Sequence, residues 1–229
     1  MSAQPVPALA ERLHRVQAEV ADAARAAHRD PGEITTIVVT KFHPAALVRA
    51  LYGLGVRDVG ESRHQEAQAK AAELSDLAGL TWHFIGQLQA NKARQVKRYA
   101  RVIHSVDRSS LVDALASDDT PVDVFVQLNL TDDPARGGVR PDALESLAEQ
   151  ILARPVLTLR GVMAVAPLGA EPARAFGAVR AASQRLRALA PQATAISAGM
   201  SGDFAAAIAA GATHLRIGTA ITGNRPERP

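Results

Sequence analysis

The stretch Ile34-Thr35-Thr36-Ile37-Val38-Val39-Thr40-Lys41 opens the regular part of this chain. Its β-branched side chains crowd a helix and fit a pleated strand, so Ile34 to Thr40 reads as a strand. The run gives out at Lys41, where Phe42-His43-Pro44 leads into a helical pattern. Outward from it, apolar runs recur at Asp58 to Glu61, Thr81 to Gly86, Val102 to Val106, Val122 to Asn129, Thr158 to Val165, Ala195 to Ala198 and His214 to Gly218. Helical stretches rich in Ala, Leu, Arg and Glu separate them, the alternation expected of βα units on a parallel sheet. An open sheet of eight strands would leave two edges to protect, so the predicted fold class is α/β, closed as a single (β/α)8 TIM barrel over about residues 34–223.

Ahead of the first strand, Leu9, Leu13, Val16 and Val20 form one stripe, which predicts an amphipathic helix over about residues 8–28, packed outside the barrel. Two polar loops, Asn129 to Pro141 and Ala166 to Pro172, interrupt the pattern without ending it, so all 229 residues read as one domain, with an exposed tail at Arg225 to Pro229.

Composition excludes several functions. With 47% apolar and 21% charged residues the chain is neither disordered nor fibrous, and no apolar run is long enough for a membrane span. Met1 to Pro7 lacks the order of a signal peptide, and there is no cysteine, so disulfides and thiolate metal sites are excluded and a cytoplasmic protein is expected. His83 and His104 lack metal-ligand spacing and read as buried structural residues, so no metal is expected. Lys92, Arg94, Lys97, Arg98 and Arg101 read as a solvated helix face, and the net charge of +3 is small, so nucleic acid is not an expected partner.

Candidate chemistry gathers at three places. Lys41 is an amine at a strand end, where α/β folds bind ligands, and a shielded amine can form a Schiff base with an aldehyde. Gly199-Met200-Ser201-Gly202 and Gly218-Thr219 follow the last two strands, loops that in barrels commonly hold phosphate on backbone N–H groups, with Ser201 and Thr219 adding hydroxyls. The competing reading is a Ser201 helix cap and a Gly218 turn, with Asp203 bringing negative charge to the same place. Arg216, between Leu215 and Ile217, points into the barrel and needs an acceptor. A pyridine nitrogen of a ligand fits, as does Glu61 or Asp123. Met163 packs either near a bound ring or in the core.

Together these residues resemble the fold-type III pyridoxal-phosphate proteins, the alanine racemase-like barrels. More narrowly, Val39-Thr40-Lys41, Val59-Gly60-Glu61-Ser62, Trp82 to Lys92, Gly161-Val162-Met163-Ala164, Gly199-Met200-Ser201 and Arg216 to Ala220 are similar to the segments of the pyridoxal phosphate homeostasis protein family. The resemblance implies that Lys41 holds pyridoxal 5'-phosphate as a Schiff base, that Ser201, Gly218 and Thr219 bind its phosphate, and that Arg216 faces its ring nitrogen. It further implies a cytoplasmic, non-catalytic carrier that binds and releases the cofactor, with transient delivery to enzymes that use it. A monomer is expected. One departure is Ser62, which stands where the family pattern has asparagine. The alternative function is an amino-acid racemase on the same barrel. Larger racemases take a tyrosine from a second, β-rich domain; the sequence ends shortly past the eighth strand, so that domain is expected to be absent, and Tyr52 and Tyr99 fall in outer helical segments.

Overall fold

The structure, a computed structural model, describes residues 6–224; the tail expected at Arg225 to Pro229 lies outside them. The strands are β1 (Thr35–Val39), β2 (Asp58–Glu61), β3 (Thr81–Phe84), β4 (Val102–Val106), β5 (Val122–Gln127), β6 (Leu157–Met163), β7 (Ala195–Ser197) and β8 (His214–Ile217). All pair in parallel and in chain order, and β8 returns to β1 to close the barrel. The expected strands are therefore all present, with bounds that differ by no more than two residues at either end.

Around the sheet lie α1 (Val6–Ala26), α2 (Ala45–Gly53), α3 (His64–Glu73), α4 (Ala93–Lys97), α5 (Ser109–Leu115), α6 (Leu144–Leu152), α7 (Pro172–Leu189), α8 (Phe204–Ala209) and α9 (Thr219–Thr222). Alternate strand residues face these helices. Val38, Val59, Val124, Val162 and Leu215 join the helix faces in one continuous apolar layer, as the alternation of a strand requires. In α1 the predicted stripe of Leu9, Leu13, Val16 and Val20 is buried. This helix is tied to the other end of the chain: Arg12 donates to the Ile221 carbonyl, and Arg29, just beyond the helix, donates to the carbonyls of Ile208 and Ala212. No helix among the described residues is long and apolar enough to cross a membrane.

The basic face expected over Ala90 to Arg101 is corrected. A 3-10 turn, Ala90–Lys92, precedes α4, and Lys97 turns inward. The residue is 5% exposed, and its ammonium donates to the Leu115 carbonyl and to Asp118 Oδ1. The short helix rotates this residue onto α5, where it satisfies the Leu115 carbonyl at the helix end, one that has no intrahelical donor.

The barrel interior is divided. Val102, Phe125, Met163 and Ala195 form a small apolar cluster separate from the outer layer. The register of β5 against β6 shifts between Val124 and Phe125, and Gly161 stands opposite Phe125 at φ +153°. A Cβ there would lie 1.8 Å from the Ala195 carbonyl oxygen, so only glycine allows β6 and β7 to pair. Gly161→Ala is expected to cost at least about 3 kcal/mol, read as a lowered urea midpoint.

Candidate functional site

Lys41 follows Thr40 at the C-terminal end of β1 and is exposed. The pairing of Ile37 with Arg216 and of Val38 with Ile217 sets β8 beside it. Gly218 continues β8 and lies against Val39, since a Cβ at Gly218 would sit 3.5 Å from Val39 Cβ. The strand-one lysine and the loop after strand eight thus share one rim of the barrel, as the sequence predicted.

Gly218 is the N-cap of the four-residue α9, and the N–H groups of Thr219 and Ala220 open its first turn, where an α-helix has no acceptor for them. The second loop is held to β8 by the Arg216 N–H, which donates to the Gly199 carbonyl. Gly199 has φ +93°, and a Cβ there would meet Ala207 Cβ at 2.7 Å, so glycine lets the loop fold close over α8. The reading of Ser201 as a helix cap is corrected. Asp203 occupies the cap position of α8, and its carboxylate accepts from the Met200 N–H rather than from the helix. Ser201 sits partly buried in the turn between them, with no hydrogen bond to the start of α8. Thr219 is exposed on the rim.

Arg216 is 5% exposed, and among the described residues it makes no ion pair. Neither carboxylate named as its conventional partner meets it: Glu61 points outward to Lys70, and Asp123 lies 3.8 Å from Arg160. Instead Nη1 donates to Ser197 Oγ at 2.7 Å and Nη2 to the Ala164 carbonyl at 2.8 Å. Burial draws its pKa down to about 10, so it stays a cation at neutral pH. Met163 is 2% exposed and belongs to the interior apolar cluster, next to Ser197 across the β6–β7 ladder.

The histidines are buried, as expected, but they also form a chain that the sequence did not reveal. Asp58 Oδ1 is 2.9 Å from His83 Nε2, His83 Nδ1 is 3.0 Å from His104 Nε2, and His104 Nδ1 is 2.9 Å from Ser197 Oγ, which also receives Arg216. A guanidinium only donates and a carboxylate only accepts. The arrangement that satisfies every member has each proton directed toward Asp58, with both imidazoles neutral and protonated on Nε2. The Phe125 ring stacks on His104 at 4.5 Å between centroids. Burial, and then the neighbouring His83, hold the His104 pKa well below the ordinary imidazole range. The one available sequence signal was parity, since Asp58, His83, His104, Ser197 and Arg216 all fall on inward positions.

Two other lysines stand near this rim. Lys70 is buried and donates to the Thr40 carbonyl, Glu61 and Glu66, whereas Lys92 lines a groove with Arg63, His64, Glu66 and Gln89. Lys41 is the exposed amine next to the two glycine loops.

Burial lowers His214 to about 4 from an ordinary 6.5. In that interval the unfolded chain binds a proton that the native chain refuses, so the His214 contribution to stability is full above pH 6.5 and is lost as pH falls toward about 4. Thermal midpoints of wild type should therefore fall across this window, and His214→Gln should fall less steeply, the difference being its titration.

The alanine racemase N-terminal domain family matches residues 12–226 of this chain. The pyridoxal phosphate homeostasis protein of Pseudomonas aeruginosa is 41% identical over 225 residues, covering 95% of this chain and 96% of the relative. That of Escherichia coli K12 is 37% identical over 226 residues, covering 95% and 97%. Among solved structures, PipY of Synechococcus elongatus PCC7942, with PLP bound, superposes with a TM-score of 0.83 at 36% identity, covering 94% of this chain and 100% of PipY. Alanine racemase of Corynebacterium glutamicum shares the fold, with a TM-score of 0.71 at 16% identity, and this chain covers 62% of it. With the full barrel matched and relatives near two-fifths identical along nearly their whole length, the chain belongs to the pyridoxal phosphate homeostasis protein family, on the alanine racemase N-terminal-domain fold.

Proposed function

We propose that this protein binds pyridoxal 5'-phosphate at the barrel mouth, acts in its homeostasis, and is a carrier of the cofactor rather than an enzyme. Family membership supports the ligand. The observation that carries the site assignment is Arg216: a buried cation on neutral oxygens, close below a rim that holds an exposed lysine and two glycine loops. A guanidinium has five N–H donors, and Ser197 and Ala164 receive two. A ring nitrogen is the neutral acceptor that a buried arginine can add without a second charge.

When bound, the cofactor supplies an aldehyde and an electron-withdrawing ring. Lys41 is the residue that attaches it, by its free amine. Ser201, Gly218 and Thr219 hold the phosphate through two hydroxyls and the backbone amides of the α9 first turn. Arg216 would face the ring nitrogen as a charged donor and favour its unprotonated form, which would weaken the ring as an electron sink. Met163 would add apolar contact from the interior cluster. Ser62, in the place of the family asparagine, supplies a shorter side chain on the β2 side of the rim.

The carrier reading is supported by the placement of the tyrosines, the side chains that would supply an opposite-face proton. Tyr52 donates its hydroxyl to the Ala78 carbonyl, under an Arg57 guanidinium, and Tyr99 stacks on His64 between α3 and α4. Both lie in the helical layer, away from Lys41. Release to enzymes that need the cofactor, a monomeric state, a single-domain chain and a cytoplasmic site complete this proposal.

Borohydride reduction of the loaded protein followed by peptide mapping should label Lys41, and Lys41→Ala should abolish the label with little loss of stability, because an exposed side chain contributes little packing. A label on Lys92 or Lys70 would refute the assignment.

The carrier reading has its own measurement. Loaded protein incubated with L-alanine, L-serine or L-lysine in deuterated water should show negligible chiral inversion, whereas inversion at on the order of 1–1,000 per second would identify a racemase.

A further inference from the structure

We infer that Lys70 and Glu66, two helix residues outside the cofactor pocket, are positioning residues that fix the backbone on both sides of Lys41. The inference rests on the assignment of Lys41 as the attachment residue. Three bonds carry it. Lys70 Nζ donates to the carbonyl of Thr40, the residue before Lys41, at 2.8 Å. Glu66 Oε1 accepts from the N–H of Phe42, the residue after Lys41, at 2.5 Å. Lys70 and Glu66 are themselves joined at 2.7 Å across one turn of α3. One ion pair therefore holds both peptide units that flank the reactive lysine, in a turn that the His43 N–H also closes on the Thr40 carbonyl.

The rest of the network stiffens this grip. Lys70 is 7% exposed at its side chain, and its third donor goes to Glu61 Oε1 at 2.7 Å, which also accepts from Thr40 Oγ1 at 2.7 Å. All three ammonium donors are thus spent, two of them on or beside the segment that presents Lys41. A buried ion pair is seldom the most stable filling for such a site, because apolar residues of the same volume avoid the desolvation of two charges. What this pair supplies is direction.

The conformation that it holds is also unusual. Phe42 has φ +71°, a left-handed value that an aromatic residue adopts only when its surroundings impose it. The turn brings the Phe42 ring 5.9 Å from Lys41 Nζ, with the Arg63 guanidinium 5.5 Å from the same ring. Removing the Glu66 acceptor takes away one hold on this turn and loosens the direction in which it presents the Lys41 amine.

The decisive comparison uses two ligands that differ only at the reacting group: pyridoxal 5'-phosphate, which bonds to Lys41, and pyridoxine 5'-phosphate, its alcohol, which does not. Glu66→Ala is the lead variant, because it leaves Lys70 and Glu61 as a neutral pair and needs no buried charge to go unpaired. It should weaken aldehyde binding about tenfold and slow borohydride trapping at Lys41, while alcohol binding stays within about twofold. Glu66→Gln keeps an acceptor for Phe42 and should restore both. The charge-balanced pair Lys70→Met with Glu61→Gln should reproduce the Glu66→Ala pattern. Equal losses for the two ligands, or no loss for either, would overturn the positioning role. Wild type that takes no label at Lys41 would instead overturn the attachment assignment on which it rests.

Discussion

The pairing of β1 with β8 is the constraint on which everything else in this molecule depends. It closes the barrel and removes both sheet edges, and it also brings an amine from the first strand to a guanidinium and a glycine turn from the last. Neither end of the chain carries a site alone. Ile37 opposite Arg216 fixes which face of β8 turns inward, and Gly218 packed on Val39 fixes how near the last loop comes to Lys41. A slip of one residue in this ladder would aim Arg216 at the helices and Leu215 into the barrel.

Beneath that rim the barrel departs from the usual filling of branched aliphatic residues. Its polar half is legible as chemistry because each member limits the next. Arg216 cannot accept, Asp58 at the far end cannot donate while ionised, and the two histidines and one serine between them are left a single consistent arrangement of protons. The chain thereby orients the Ser197 oxygen toward Arg216 and holds the guanidinium below the mouth. Stability and site geometry are one network here, which is why neutral histidines matter to both.

The fold was readable because β-branched runs and alanine-rich helices differ in period, and that difference survives in every unit of this chain. The placement of Lys41, Gly218 and Thr219 at strand ends was readable because those ends are fixed by where apolar runs stop. Arg216 was readable in direction but not in partner: parity aims a side chain without saying what awaits it, and Ser197 is one small residue on a three-residue strand. Lys97 was misread for a related reason, since a basic helix stripe does not announce that one member caps a neighbouring helix. The bracket on Lys41 was hidden altogether. It depends on a backbone carbonyl and a backbone N–H, which every sequence offers everywhere, and on a left-handed Phe42 that no residue preference announces.

The attachment of α1 to the far end of the chain has a bearing on biosynthesis. Arg12 and Arg29 reach carbonyls of Ile221, Ile208 and Ala212, and β1 has no second neighbour until β8 is made. A chain emerging from the ribosome can pair its early strands in order, yet its first helix and first strand must wait for the last ones. The loops proposed for the phosphate follow β7 and β8, so they are made after the other six strands. Cofactor capture at the proposed site would thus wait until β8 and the turn after it have been made.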